Sequence, residues 1–276
     1  MTINCKGSLI DLSTPKVMGI LNLTPDSFYD GGKYTNKNEI LKQTEYMLTQ
    51  GATFIDLGAY SSRPGADHIS AAEEEKRILP IVSLLVDEFP EILLSIDTFR
   101  SEIATLCINA GAALINDISA GNMDPNMIPT IGKLKVPYSM MHMRGTPKTM
   151  TSLTDYDNLI HEINCYFAEK VTELRKHGAN DIIIDPGFGF AKDISQNFEL
   201  LKKLKLLEVN DLPILVGVSR KSMIYKTLDI TASESLNGTT ILNTIALLNG
   251  AAIIRVHDVK EAVECIKLVH TLEQAQ

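Results

Sequence analysis

The chain has 276 residues, 45% of them hydrophobic and 22% charged, and its 34 acidic against 26 basic side chains leave a net charge of −8. That balance disfavours nonspecific nucleic-acid and acidic-membrane binding, which need a basic surface, so neither partner is expected. No Ser/Gly-rich stretch, low-complexity tract or block of like charge offers a boundary, and residues 1–276 are expected to form a single domain.

Residues 1–16, with Asn4, Cys5, Lys6, Gly7 and Ser8 as a turn between short extended pieces, predict a hairpin. The same region mixes Asn4, Lys6, Asp11 and Lys16 among its apolar positions, unlike a secretion signal. Eight short runs rich in Val, Ile and Leu follow, predicting strands over 17–23, 54–59, 92–98, 113–119, 138–143, 181–186, 214–219 and 251–257. Between them, helical spacing predicts helices over 38–50, 71–89, 101–110, 156–177, 196–207, 233–248 and 259–274, with a weaker one around 125–132. Glu73, Glu74 and Glu75 sit in the first turn of the second helix, where the helix dipole favours acids.

Strand and helix in alternation imply right-handed βαβ units and parallel strands. An open doubly wound sheet competes, but no Gly-x-Gly-x-x-Gly follows the first strand and no Walker loop is present. Polar residues recur at nearly every strand end: Asn22, Asp56, Asp97, Asn116, His142, Asp185, Lys221 and His257. In a closed barrel of parallel strands the active site is built at the carboxyl ends, so the expected fold is a TIM (β/α)8 barrel with the N-terminal β-hairpin at its bottom. The apolar region 241–256 is interrupted by Asn243, Thr244, Asn249 and Gly250 and is core rather than a membrane span. Cys5, Cys107, Cys165 and Cys265 lie far apart with no Cys-x-x-Cys pair, which argues against a zinc cluster and for a reducing cytoplasm. Cys107 and Cys165 fall in helical patterns where a thiol packs as a small apolar group.

The chemistry is carried by the strand ends. Asp185, delivered by an Ile-Ile-Ile run and followed by Pro186 and Gly187, either anchors its loop or accepts two parallel hydrogen bonds from a guanidine-like N–C–N edge. Asp97 and Asn116, on neighbouring strands, match a flat heterocycle with alternating N–H and C=O groups, and Lys221 can donate to a ring carbonyl or nitrogen. Arg220 beside it ties its loop outward. Arg255 and His257 alternate on one strand and leave the same face, a pair of donors suited to a phosphate or diphosphate. Two turn-rich loops, 24–36 and 59–70, are read as covers, with Ser62 and Arg63 available to an anion and Asn22 offering an oxygen to Mg²⁺.

These residues, in order, carry a resemblance. The segments Gly19-Ile20-Leu21-Asn22-Leu23-Thr24-Pro25-Asp26-Ser27-Phe28, Ser62-Arg63-Pro64-Gly65, Asp97-Thr98, Asn116-Asp117, Met141-His142-Met143, Asp185-Pro186-Gly187-Phe188-Gly189, Ser219-Arg220-Lys221 and Arg255-Val256-His257 are similar to those of the dihydropteroate synthase family. The resemblance spans essentially the whole chain. It implies condensation of (7,8-dihydropterin-6-yl)methyl diphosphate with 4-aminobenzoate to give 7,8-dihydropteroate and diphosphate, at the site where sulfonamides compete. It implies a pterin held by Asp97, Asn116, Asp185 and Lys221, with Met140 or a neighbour packing the ring. The diphosphate then falls to Ser62, Arg255 and His257, with Mg²⁺ on Asn22. The 4-aminobenzoate lies near Phe28, Pro64, Phe190, Lys221 and Ser222, with Arg63 in the same binding set. Asp97, Asp185 and Lys221 are the expected catalytic residues, Asp56 and His142 stand behind the site, and the family implies a homodimer packed through late helices.

The chain departs from the common family pattern in reading Gly58-Ala59-Tyr60-Ser61-Ser62 where many members have Gly-Glu-Ser-Thr, and again at Met223 and Tyr225. Two rival readings are a pterin-binding methyltransferase barrel, for which the diphosphate-facing residues have no work, and a catalytically silent pterin-binding subunit.

Overall fold

A computed structural model of the chain describes residues 1–23, 35–60, 69–207 and 211–275. Phe28, Ser62, Arg63 and Pro64 lie outside them, as do most of the loops 24–36 and 59–70. Strands β1 (Thr2–Cys5) and β2 (Ser8–Asp11) form an antiparallel hairpin, turning through Lys6 and Gly7 at positive φ. Strands β3 (Lys16–Asn22), β4 (Phe54–Gly58), β5 (Leu94–Asp97), β6 (Leu114–Asp117), β7 (Tyr138–Met141), β8 (Ile182–Asp185), β9 (Ile214–Val216) and β10 (Ala251–Val256) follow. They pair in parallel in chain order, and β10 closes the barrel by pairing with both β3 and β9.

Helices α1 (Thr35–Thr49), α2 (Ala71–Glu88), α3 (Ser101–Asn109), α4 (Met127–Leu134), α5 (Leu159–Lys176), α6 (Ile194–Lys202), α7 (Ser222–Leu228), α8 (Leu236–Leu248) and α9 (Val259–Gln274) occupy the connections. Local chemistry starts several of them. The Ser70 hydroxyl accepts from the Glu73 N–H ahead of α2, Asn158 does the same for His161 at α5, and Asp193 with Gln196 forms a capping box on α6. The segment expected to be helical over 196–207 is instead α6 followed by a 3-10 turn at Leu204–Leu207. The short helix α7 was not foreseen, because seven residues straight after a strand are too few to show a period.

Alternation along each strand sorts the core. Ile55, Leu57, Ile96, Ile115, Tyr138, Met140, Ile184, Val216, Ile254 and Val256 pack outward against the helices. Met18, Phe54, Leu114, Ile183, Leu215 and Ile253 point inward and form an apolar layer sealed by Ile3 and Cys5 of the hairpin. The next inward positions along the strands are polar: Asp56, Ser95, Asn116, Ser139 and Asp185 are all buried. The barrel is therefore greasy at its amino end and polar toward its carboxyl end, which places the chemistry where the loops are. Cys107 is buried as expected, but Cys165 lies exposed on α5 with its Sγ 3.6 Å from His161 Nε2, so it does not pack as an apolar group.

Close packing of the outer ring is tightest at Gly132 on α4, where an added Cβ would stand 2.0 Å from the carbonyl oxygen of His177 at the end of α5. Backbone cannot yield there as a side-chain tip could. Gly132→Ala is expected to destabilise the protein by about 3 kcal/mol, read from the urea midpoint, with the far-ultraviolet spectrum unchanged.

Candidate active site

Arg255 organises the mouth of the barrel. Its Nε donates to Asp56 Oδ2 at 2.6 Å and its Nη2 donates to Asp97 Oδ2 at 2.9 Å, joining β10 to β4 and β5. Asp56, wholly buried, also accepts from the Ser95 hydroxyl at 2.5 Å and from the Asn116 amide at 3.4 Å. Burial opposes the charge on Arg255, but the two carboxylates carry its pKa well up. Burial likewise pushes Asp97 up, to about 7, against the pull of Arg255. The sequence reading gave Arg255 to the diphosphate beside His257. The structure commits its Nε and Nη2 to carboxylates first, and makes Asp56 the centre of the network rather than a bystander.

Asp185 ends β8 across the mouth. One of its oxygens accepts from the Gly187 N–H at 2.8 Å, and burial raises its pKa while Lys221, Arg255 and Lys192 restrain the rise. Lys221 caps α7; its ammonium donates to the Phe188 carbonyl and lies 4.9 Å from the centre of the Phe190 ring. Burial pulls it down to about 8, and Asp185 holds it from falling further. Gly189 is needed here, since a Cβ would meet Lys221 Cδ at 3.2 Å in a left-handed turn. Ser222, the first residue of α7, is half-buried beside Lys221.

A cleft on the β3 side is lined by Asn22, Arg220, His257, Gln43 and Tyr46. Arg220 grips Asp258 with Nε at 3.0 Å and Nη2 at 2.6 Å, as its outward reading anticipated. Ser219 Oγ accepts from the His257 backbone N–H at 3.2 Å and lies 2.9 Å from its Nδ1.

The choice between Met140 and its neighbours narrows. Met140 faces the helices, whereas Met141, one residue on, joins Phe99, Ile118, Met143 and Ala191 in the apolar cluster at the mouth. Asp117, next to Asn116, points away from the site and accepts from Tyr138 Oη, the Ser119 N–H and hydroxyl, and the Gly121 N–H. Sequence reasoning also missed Lys192. Its ammonium is buried among His142 Nδ1 and the carbonyls of Gly187 and Phe190, and only its place in the turn after Asp185 could have flagged it. Tyr60, in the segment that departs from the family pattern, stacks edge-on against Phe99 at 5.0 Å, with the Arg100 guanidinium 5.7 Å from its ring centre. Among the described residues there is no cluster of three His, Cys, Asp or Glu side chains able to hold a metal.

Asp97, Asn116, Asp185 and Lys221 thus stand at one barrel mouth, beside an apolar cluster that holds Met141 and packs Phe190, the arrangement of a barrel enzyme. The sequence pattern of a family described as pterin binding enzyme matches residues 18–257. Dihydropteroate synthase of Escherichia coli (strain K12) is 41% identical over 278 residues, covering 100% of this chain and 98% of that protein. The Yersinia pestis dihydropteroate synthase, solved with a sulfonamide drug complex, superposes with a TM-score of 0.93 at 42% identity, each chain covered in full. The Xanthomonas albilineans dihydropteroate synthase, solved with 4-aminobenzoic acid, gives a TM-score of 0.92 at 32% identity, covering 100% of this chain and 99% of that one. The chain belongs to the pterin-binding enzymes and, within them, to the dihydropteroate synthase family.

Truncating Arg255 strands Asp56 and Asp97 in the interior without a cation. Arg255→Met is expected to cost about 3–5 kcal/mol in urea unfolding, and Arg255→Lys to recover only part of it, because one ammonium cannot fork to both carboxylates.

Proposed function

We propose that the chain condenses (7,8-dihydropterin-6-yl)methyl diphosphate with 4-aminobenzoate, giving 7,8-dihydropteroate and diphosphate in folate biosynthesis. The observation that carries this reading is the presence, at one barrel mouth, of the Asp56–Arg255–Asp97 network together with the buried Asp185 and the Lys221 ammonium held on the Phe188 carbonyl, inside a full-length family match. Asp185, Asp97 and Asn116 would seat the pterin, Met141 would pack its ring, and Lys221 would donate to a ring carbonyl or nitrogen. His257 and the remaining donors of Arg255 would meet the diphosphate with Ser62 and Arg63. Pro64, Phe28, Phe190 and Ser222 would line the 4-aminobenzoate.

The bond that forms joins the arylamine nitrogen to the pterin methylene. The bond that breaks is the methylene C–O, whose electron pair leaves with diphosphate, while the amine proton passes to solvent. No side-chain nucleophile takes part. The site supplies orientation and charge placed where charge develops, which suits a weak nucleophile and an activated carbon.

Among the described residues the charges at the mouth balance, for the carboxylates of Asp56, Asp97 and Asp185 face the cations Arg255, Lys221 and Lys192, and Arg220 is spent on Asp258. An incoming diphosphate needs further positive charge, and the carboxamide oxygen of Asn22 on the cleft wall fits Mg²⁺, which keeps few protein ligands and binds with substrate phosphates. Mg²⁺ when bound would supply charge to the leaving group.

Purified protein given both substrates is expected to release diphosphate, and to release none when 4-aminobenzoate is omitted. Methyl transfer to a corrinoid without diphosphate release would reassign it, as would pterin binding without turnover. The kcat/KM of the wild type should fall below about pH 7, as Asp97 takes up a proton, and above about pH 8, as Lys221 loses one. Lys221→Arg should remove the part of the upper limb that Lys221 sets, since a guanidinium does not titrate there.

We read the chain as one domain over residues 1–276 and place it in the cytoplasm, to which its four free thiols are suited. No helix among the described residues is long and apolar enough to cross a membrane. The late helices present Leu228, Ile241, Ile245, Leu248, Leu268 and Leu272 to solvent, which supports a homodimer through α8 and α9. Leu268→Glu with Leu272→Glu should convert a dimer to a monomer in sedimentation equilibrium, and a monomeric wild type would refute the pairing.

A further inference from the structure

Lys192 has no place in the chemistry above, yet it is one of the most costly side chains in the molecule. Only 7% of it is exposed. Its ammonium has three donors and three acceptors: His142 Nδ1 at 3.0 Å, Gly187 O at 3.1 Å and Phe190 O at 3.0 Å. Burial lowers its pKa to about 7, with Asp185 resisting and Lys221 and Arg144 adding to the fall. An apolar side chain of similar length would fill this space without that cost. A cation kept here implies that three hydrogen bonds in fixed directions are what the position requires.

Those directions belong to the turn over residues 187–191. Gly187, Gly189 and Ala191 all have positive φ, at 70°, 78° and 48°, and the alanine bears a Cβ in a region costing about 1–2 kcal/mol. The turn presses on the end of β7, for a Cβ on Gly187 would lie 2.1 Å from the His142 carbonyl oxygen. From outside, Tyr156 donates to the Ala191 carbonyl at 2.9 Å, and the Gly189 N–H donates to Asn197 at 2.6 Å. From inside, Lys192 holds the carbonyls on either side of Phe188. The Phe188 carbonyl is thereby left to Lys221, and the Phe190 ring is set against the Lys221 ammonium.

His142 completes the device. Its ring packs against Tyr166 with centroids 4.9 Å apart and edge-on planes, and also against Tyr156 and Phe167. Burial first, then the charges of Lys192 and Arg144, keep its pKa well below the usual histidine range, so the ring is neutral and Nδ1 is free to accept.

We propose that Lys192 is a positioning residue: with His142 it stitches the turn 187–191 to the end of β7, and through that turn it aims Phe190 at the amine substrate. The inference rests on the proposed function for its substrate and on the geometry alone for the turn. Lys192→Met should raise the KM for 4-aminobenzoate tenfold or more while changing the KM for the pterin diphosphate by less than threefold, with no fall in melting temperature. Lys192→Gln, with fewer donors, should act in the same direction if the methionine variant folds poorly. His142→Gln, which still offers an acceptor, should stay near wild type; His142→Leu should mimic Lys192→Met, and the two combined should be no worse than either alone. A folded Lys192→Met with both KM values unchanged, losses shared equally by the two substrates with a drop in melting temperature, or additive losses in the double variant would overturn it. Amide hydrogen exchange over 187–191 reads the turn without turnover: faster exchange in Lys192→Met is expected, and unchanged protection overturns the inference even if the wild type proves inactive in the condensation. An inactive wild type with a loosened turn would defeat the functional reading and leave the stitch standing.

Discussion

Everything at the mouth of this barrel depends on one constraint: charge placed in a closed, close-packed interior has to be paired. Arg255 answers it for Asp56 and Asp97, drawing β10, β4 and β5 together across the barrel, and Asn116 on β6 is drawn in through Asp56. A forked guanidinium between two carboxylates tolerates little displacement, because either misaligned oxygen would be left as an uncompensated buried charge. The carboxylate of Asp97 is therefore presented to the mouth in a fixed direction. That is the property a site needs if it is to orient a flat ring rather than merely attract one.

The same logic divides the barrel along its axis. At the amino end the inward positions are apolar and the hairpin's Ile3 and Cys5 close them off, so water has no path to the ion network from below. Toward the carboxyl end the inward positions turn polar while the outward ones remain mostly apolar and packed on helices. Stability and chemistry are thus assigned to different faces of the same strands. A strand can then carry Asp56 or Asp185 at full burial while its neighbours Ile55 and Ile184 hold the helical ring in place.

How much of this was legible follows from what each signal measures. The eight barrel strands were readable because parallel strands, buried on both faces, are near-continuous apolar runs, and their polar ends marked Asp97, Asn116, Asp185 and Lys221. The parity of a side chain was harder. Met140 and Met141 differ by one position and so by a whole face of the sheet, and two adjacent methionines give no alternation to choose between them. Cys165 is a different case: it lies two residues from both Ile163 and Phe167, on the face of α5 opposite the buried stripe, so helical spacing itself turns it outward. Lys192 was illegible for a different reason. A lysine in a glycine-rich turn reads as solvent-facing by composition, and only the three-dimensional convergence of two carbonyls and a histidine ring makes its burial tolerable.

The segment that departs from the family pattern can be weighed in the same physical terms. Arg100 pairs with the buried Glu74, which also accepts from Thr98 at 2.7 Å, and its other terminal nitrogen donates to the Ile69 carbonyl at 2.6 Å. The face of the guanidinium lies over the rings of Phe99 and Tyr60. Arg100 thus meets the chain on both sides of residues 61–68, at Tyr60 and at Ile69, and is itself fixed by an acid that has no access to water. An acidic residue at position 60 would place a second carboxylate near this pair and compete with Glu74 for the same cation. A tyrosine keeps the contact by cation–π attraction and ring packing and leaves the Glu74–Arg100 pair undivided. At Tyr60 the entrance to the loop carrying Ser62 and Arg63 is thus held by packing and cation–π attraction, which salt screens less than it screens an exposed charge pair.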